Sequence, residues 1–148
     1  PILDALWSDP VMSKGAQSNA RRQIGLTFGP DFTEQFMEIN HLRLLIRGHE
    51  GADYRQLKSG MGEGHDMTGG FSLDHKFSRG VLVTVFSAPG FPLIGSRKKT
   101  EEKFTDKVTS TALPLYSQGA FATIPATVNR ICFTQFHLSP HPEGVSYL

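Results

Sequence analysis

The sequence has one cysteine, Cys132, among 148 residues. A single thiol cannot close an internal disulfide, and a cysteine-based zinc site needs at least two. That excludes the disulfide-stapled secreted folds, and a reducing intracellular compartment, cytoplasm or nucleus, is the expectation. Long apolar runs are lacking too. The longest apolar stretch, "VLVTVFSAPGFPLIG" (81–95), is broken by Thr, Ser, Pro and Gly. It falls short of the ~18 or more apolar residues that cross a bilayer. No signal-peptide pattern is visible, and no membrane partner is expected. Nor does one sign of charge dominate: Lys and Arg number 15 against 14 Asp and Glu, and the pI is about 8.4. Dedicated polyanion binders usually exceed a pI of roughly 9, so nucleic acid is not an expected partner. The first residue is Pro1, not methionine, in an apolar segment; the chain reads as a piece of a longer polypeptide.

What is present suffices for a core. Eleven phenylalanines and an apolar content of 39% are too much for a disordered chain, and the length suits one domain. Residues 1–7 read as an extended apolar lead, with Trp7 in the core and a turn at "SDP". "DFTEQFMEIN" (31–40) reads as a short helix. Asp31 is its expected N-cap, with Glu34 completing a capping box and Phe32, Phe36, Met37 and Ile39 on the buried face. A strand over 42–47 follows. "KSGMGEGHDMTGG" then gives a glycine-rich insert at about 51–70, expected to be exposed and poorly packed. "GFSLDHKF", "SRG" and "VLVTVFSAP" read as a β-hairpin. "SRKKTEEKFTDK" is charged and surface-like, and "GAFATIPA" and "ICFTQFHL" read as a final strand pair. The fold class is therefore α/β or α+β in one domain over 1–148, largely β in its second half.

One stretch does not look like mere core. "LLIRGHE" (44–50) is an apolar run that ends in Arg47, His49 and Glu50 instead of the usual turn residues. Such a run fits a strand that delivers side chains to its C-terminal edge, where open α/β sheets bind ligands. A lone histidine there is more often a hydrogen-bonding residue than a metal ligand. His137 and His141 have a metal-like separation, but Pro140 breaks any shared helical face. His65 and Asp66 read as exposed polar residues of the insert.

Four blocks in order change the weight of that stretch: "LWSDP" (6–10), "RRQIGLTFG" (21–29), "LLIRGHE" (44–50) and "LVTVFSAPGF" (82–91). Together they resemble the C-terminal half of the PPP-family serine/threonine protein phosphatases, and the Gly-His-Glu-Gly form with its long insert is most similar to the plant type-7 branch. The resemblance implies the C-terminal half of a calcineurin-like metallophosphoesterase β-sandwich flanked by helices. It also implies hydrolysis of phosphoserine and phosphothreonine by metal-activated hydroxide. The implied cofactors are two divalent ions (Mn, Fe or Zn), and the implied partners are a phosphoprotein substrate and a regulatory protein.

By the resemblance His49 is a metal ligand and Arg22 the phosphate-binding arginine, counted back from Phe28-Gly29. Neighbouring Arg21 would exchange roles with it under a one-residue shift. Gln23 stands where the family has glycine. Gly90 and Phe91 line the site where the family has Asn-Tyr or Asp-Tyr, so a hydroxyl and a polar side chain are missing. Asp9, Arg47 and Glu50 are the candidate supporting residues around the ligand. Asp9 alternatively orders the turn before Pro10, and Arg47 and Glu50 are equally open to a structural role.

The family's Gly-Asp-x-His-Gly, Gly-Asp-x-x-Asp-Arg-Gly, Gly-Asn-His-Glu and His-Gly-Gly signatures do not occur in this sequence. With them would come the other metal ligands and the general-acid histidine. No catalytic residue is therefore assigned within the segment, which is expected to be inactive alone. The alternative is a non-catalytic pseudophosphatase that serves as a protein-binding module.

Overall fold

The computed structural model describes residues 2–56, 65–90, 117–126 and 130–138. Phe91, His141, the charged stretch 96–107 and residues 57–64 of the glycine-rich insert lie outside the described residues. Three helices and eight strands are laid out among them: α1 (Ile2–Trp7), β1 (Asp9–Pro10), β2 (Ala16–Ser18), β3 (Leu26–Phe28), α2 (Pro30–Ile39), β4 (Leu44–Arg47), α3 (Ala52–Gln56), β5 (Phe71–Lys76), β6 (Val81–Val85), β7 (Gly119–Thr123) and β8 (Cys132–Phe136). None of the described helices is long and apolar enough to cross a membrane. The mixture of helices and small sheets agrees with the α/β class and with a strand-rich second half.

The sheet that matters most has the order β4-β6-β5, with β4 parallel and β5 antiparallel to β6. Its middle strand is buried on both faces: Leu82, Val83 and Thr84 are fully covered. "VLVTV" is a continuous β-branched and aliphatic run, as a strand covered on both faces requires, whereas "LLIR" beside it is only half-buried, with Ile46 exposed. Strand β5 departs from simple alternation. A bulge between Leu73 and His75 turns two successive polar residues, Asp74 and His75, into the interior. The second small sheet, β1-β3-β2, places β1 parallel to β3, with Asp9 opposite Thr27. Strands β7 and β8 form the expected antiparallel pair.

Several expectations change. Residues 2–7 form a helix rather than an extended lead, and Trp7 is exposed at 38%. Helix α2 starts at Pro30, with Gly29 as its N-cap and no side-chain cap. Proline suits that first position because it gives up only a backbone N–H that the helix leaves unpaired. The Asp31 carboxylate turns instead to the Gly15 N–H, at 2.9 and 3.0 Å. Of the four residues expected on the buried face of α2, only Met37 is buried; Phe32, Phe36 and Ile39 are exposed, and Thr33 is buried in their place.

The described part of the insert is packed, not loose. Met67 is fully buried with Ala52 against Phe86, Phe86 N–H donates to the Gly70 carbonyl, and Gln118 N–H donates to the Thr68 carbonyl. Residues 52–56 of the same stretch are the helix α3.

Candidate functional site

Strand β4 runs parallel to β6 and ends at Arg47, which stands opposite Thr84. The Arg47 guanidinium binds four groups at this exit. It donates to Glu50 Oε2 (3.0 Å), Thr84 Oγ1 (3.1 Å), the Ser8 carbonyl (2.9 Å) and Asp9 Oδ1 (3.0 Å). One side chain thus ties the end of β4 to β6 and to β1.

Asp9 is fully buried and does more than shape a turn. Besides Arg47 it receives Arg22 Nε at 2.6 Å and Asn19 Nδ2 at 2.9 Å. An unpaired carboxylate at this depth would be very costly, so its partners are a condition of its burial. On the other side, Glu50 takes Arg47 and Arg55 Nη2 (2.9 Å), and Arg55 Nη1 reaches Asp74 at 2.6 Å. Thr84 donates its hydroxyl to Asp74. Three guanidiniums and three carboxylates therefore alternate from Arg22 through Asp9, Arg47, Glu50 and Arg55 to Asp74. Burial would raise the Asp74 pKa, but the Arg55 hydrogen bond and charge, with Thr84 and Ser72, hold it below 3.8.

Arg22, not Arg21, takes the buried carboxylate. The turn that carries it depends on two left-handed residues. Gly25 has φ +71, and a Cβ there would meet the Trp7 carbonyl carbon at 2.8 Å. Gln23 has φ +58, so the backbone keeps a conformation suited to glycine although glutamine occupies the position. Such a conformation disfavours an ordinary side chain.

His49 is exposed and also left-handed, with φ +78. Strained backbone of this kind concentrates at functional sites. Its ring meets the edge of Trp7 with centroids 4.7 Å apart. Desolvation lowers its pKa first, aided by Arg22 and Arg47 and opposed by Asp9 and Glu50. The neutral imidazole is therefore favoured, which is the form that ligates metal. No hydrogen bond uses its ring nitrogens among the described residues. Arg47 and Glu50 act on it through their charge, and their hydrogen bonds run to Asp9, Thr84 and Arg55.

Gly90 has φ +76; its N–H donates to the Ser117 carbonyl at 2.9 Å, and a Cβ there would press on Leu138. Phe91 is outside the described residues. A cavity of about 850 Å³ opens at the opposite end of β4, between Met37 and His41 of α2 and its exit and Phe77 and Gly80 of the β5–β6 turn.

Sequence reasoning missed Asn19, Tyr54, Arg55 and Asp74. Period-2 alternation in "FSLDHK" marks Ser72 and Asp74 as sharing one strand face. The contacts of Tyr54 and Asn19 leave no such trace, because they join loops that are distant in sequence.

No family model matches the chain. It is 44% identical over 104 residues to "Serine/threonine-protein phosphatase 7" of Arabidopsis thaliana, covering 70% of this chain and 24% of that protein. Identity to "Serine/threonine-protein phosphatase with EF-hands 2" of Mus musculus is 36% over 108 residues, 73% of this chain and 12% of that protein. Identity to "Serine/threonine-protein phosphatase 5" of Homo sapiens is 32% over 143 residues, 97% of this chain and 21% of that protein. The chain spans a quarter or less of the length of these relatives.

Proposed function

The chain is homologous to the PPP-family serine/threonine protein phosphatases, and from that premise we propose that it forms the phosphate-binding side of a site that hydrolyses phosphoserine and phosphothreonine in proteins. One observation carries the reading. Asp9 brings Arg22 to the same strand exit that presents His49.

The family is metal-dependent, and a metal pair, when bound, supplies an activated hydroxide and neutralises charge on a phosphoryl group. His49 fits one ligand position of such a centre, since its ring is exposed and its neutral form is favoured. No group of three or more His, Cys, Asp or Glu among the described residues could hold an ion. The remaining ligands for Mn, Fe or Zn belong to other segments, and residues 1–148 alone are inactive on this reading.

The chain's own residues do the rest. Asp9 occupies the Nε side of Arg22, with Nη2 more distant at 3.4 Å. The Nη1 donors and the second Nη2 N–H of the planar fork remain to hold two phosphate oxygens. Arg47 fixes Asp9, Glu50 fixes Arg47 and Arg55 fixes Glu50, so the fork enters the reaction already oriented. The expected substrate is a phosphoprotein, with a regulatory protein as a further partner. A reducing intracellular compartment suits the lone Cys132.

The test uses the full-length protein. With Mn²⁺ it should release phosphate from a phosphoserine peptide and lose that activity on chelation and in His49→Ala. Peptide binding with no turnover, metal being bound, would establish the non-catalytic module instead.

A further inference from the structure

Arg22 is held by more than its carboxylate. The Arg22 guanidinium sits over the Tyr54 ring, with Cζ 3.6 Å from the ring centroid; Arg21 is farther, at 5.6 Å. The Tyr54 hydroxyl points at Asn19 Oδ1, 3.5 Å away. Asn19 is buried, donates its amide to Asp9 and accepts the Arg22 backbone N–H at 3.2 Å. Arg22 is thus gripped along one edge by Asp9, on one face by Tyr54 and at its main chain by Asn19.

The placement of Tyr54 is itself fixed. It precedes Arg55, which is anchored in the interior by Glu50 and Asp74, so the short helix α3 cannot turn its tyrosine away without breaking buried ion pairs. We propose that Tyr54 is a positioning residue for Arg22, holding the guanidinium in the pose that receives phosphate; this rests on the phosphate-binding reading of Arg22. The physical reason is preorganisation. A flexible arginine loses rotamer freedom when it grips an anion, whereas one already stacked and paired loses little. The ring face also attracts the cation without consuming any N–H donor, so the donors stay available to the ligand.

The experiment measures binding of inorganic phosphate by calorimetry to full-length wild type, Tyr54→Phe, Tyr54→Leu, Arg22→Ala and the Arg22→Ala/Tyr54→Leu double variant. Tyr54→Gln serves as a second ring-less variant if leucine is not tolerated. Removing the ring should weaken phosphate binding about threefold to thirtyfold, the range of a cation–π contact. Tyr54→Phe should stay near wild type. In the Arg22→Ala background, Tyr54→Leu should add no further loss, which a general structural defect would not reproduce. Additive losses, a Phe variant as weak as Leu, or a wild type that binds no phosphate would each overturn the proposal. Phosphopeptide turnover on the same samples separates the two readings. Turnover indifferent to Tyr54 removes the positioning role and leaves the phosphatase; phosphate binding governed by Tyr54 without turnover does the reverse.

Discussion

Two regions of this molecule reverse the usual division between inside and outside. Beneath the β4 exit, Asp9, Glu50, Arg55 and Asp74 are buried at 2% exposure or less. On α1 and α2, by contrast, Ile2, Leu3, Leu6 and Ile39 stand more than half exposed. Charges are inside because each has a partner, and each pairing places a residue at the site. The apolar side chains Ile2, Leu3 and Leu6 of α1 and Phe32, Phe36 and Ile39 of α2 stay exposed, while Trp7 meets His49 and Met37 is buried. Burial here follows the needs of the site more closely than the hydropathy of the side chains.

The largest expected effect breaks the interior region. In the 148-residue chain, Glu50→Ala leaves Arg47 and Arg55 each short of a partner and should cost about 3–5 kcal/mol, read by denaturant unfolding. Helix α2 contains the comparison within itself. Met37→Ala should cost about 2–4 kcal/mol as a buried truncation, whereas Ile39→Ala should stay within about 0.5 kcal/mol. Equal losses would erase the distinction between the two regions.

Next comes Asp74→Asn, which should cost about 1–3 kcal/mol at neutral pH by weakening a hydrogen bond between charged groups. The sign follows from its depressed pKa: the wild-type contribution is present above 3.8 and is lost as pH falls through the lower folded value. Unfolding of the two proteins should therefore converge in acid. The smallest effect is a gain. Gln23→Gly relieves a left-handed glutamine and should add about 0.5–1 kcal/mol, measured on the same unfolding curves.

The strand β4, the β5–β6 hairpin and the β7–β8 pair were legible because they rest on local apolar runs and turn residues, whereas the small sheet of β1, β2 and β3 was not. "VLVTV" and "LLIR" read as strands from their unbroken apolar runs, although only the first is covered, and the hairpin and the final strand pair follow from turn residues between their strands. The polar exit of β4 was legible for the same reason. Burial on the helices was not. "DFTEQFMEI" offers four apolar residues for one face, and only tertiary packing selects Met37. Nor could sequence show that Asp9 holds two arginines, since Arg22 and Arg47 lie 13 and 38 residues away. The bulge that turns His75 inward beside Asp74 depends on pairing with β6, which no window on β5 alone contains.

The central claim is that Arg22, held by Asp9 beside His49, receives the phosphate of a phosphoprotein. Its most direct test is kcat/KM of the full-length protein on one phosphoserine peptide, wild type against Arg22→Ala. Loss of a positioned donor to the developing charge should lower it about a hundredfold to a thousandfold, while Arg21→Ala on the same peptide should stay near wild type. An Arg22→Ala protein that folds, keeps its metal and turns over the peptide at the wild-type rate would contradict the account.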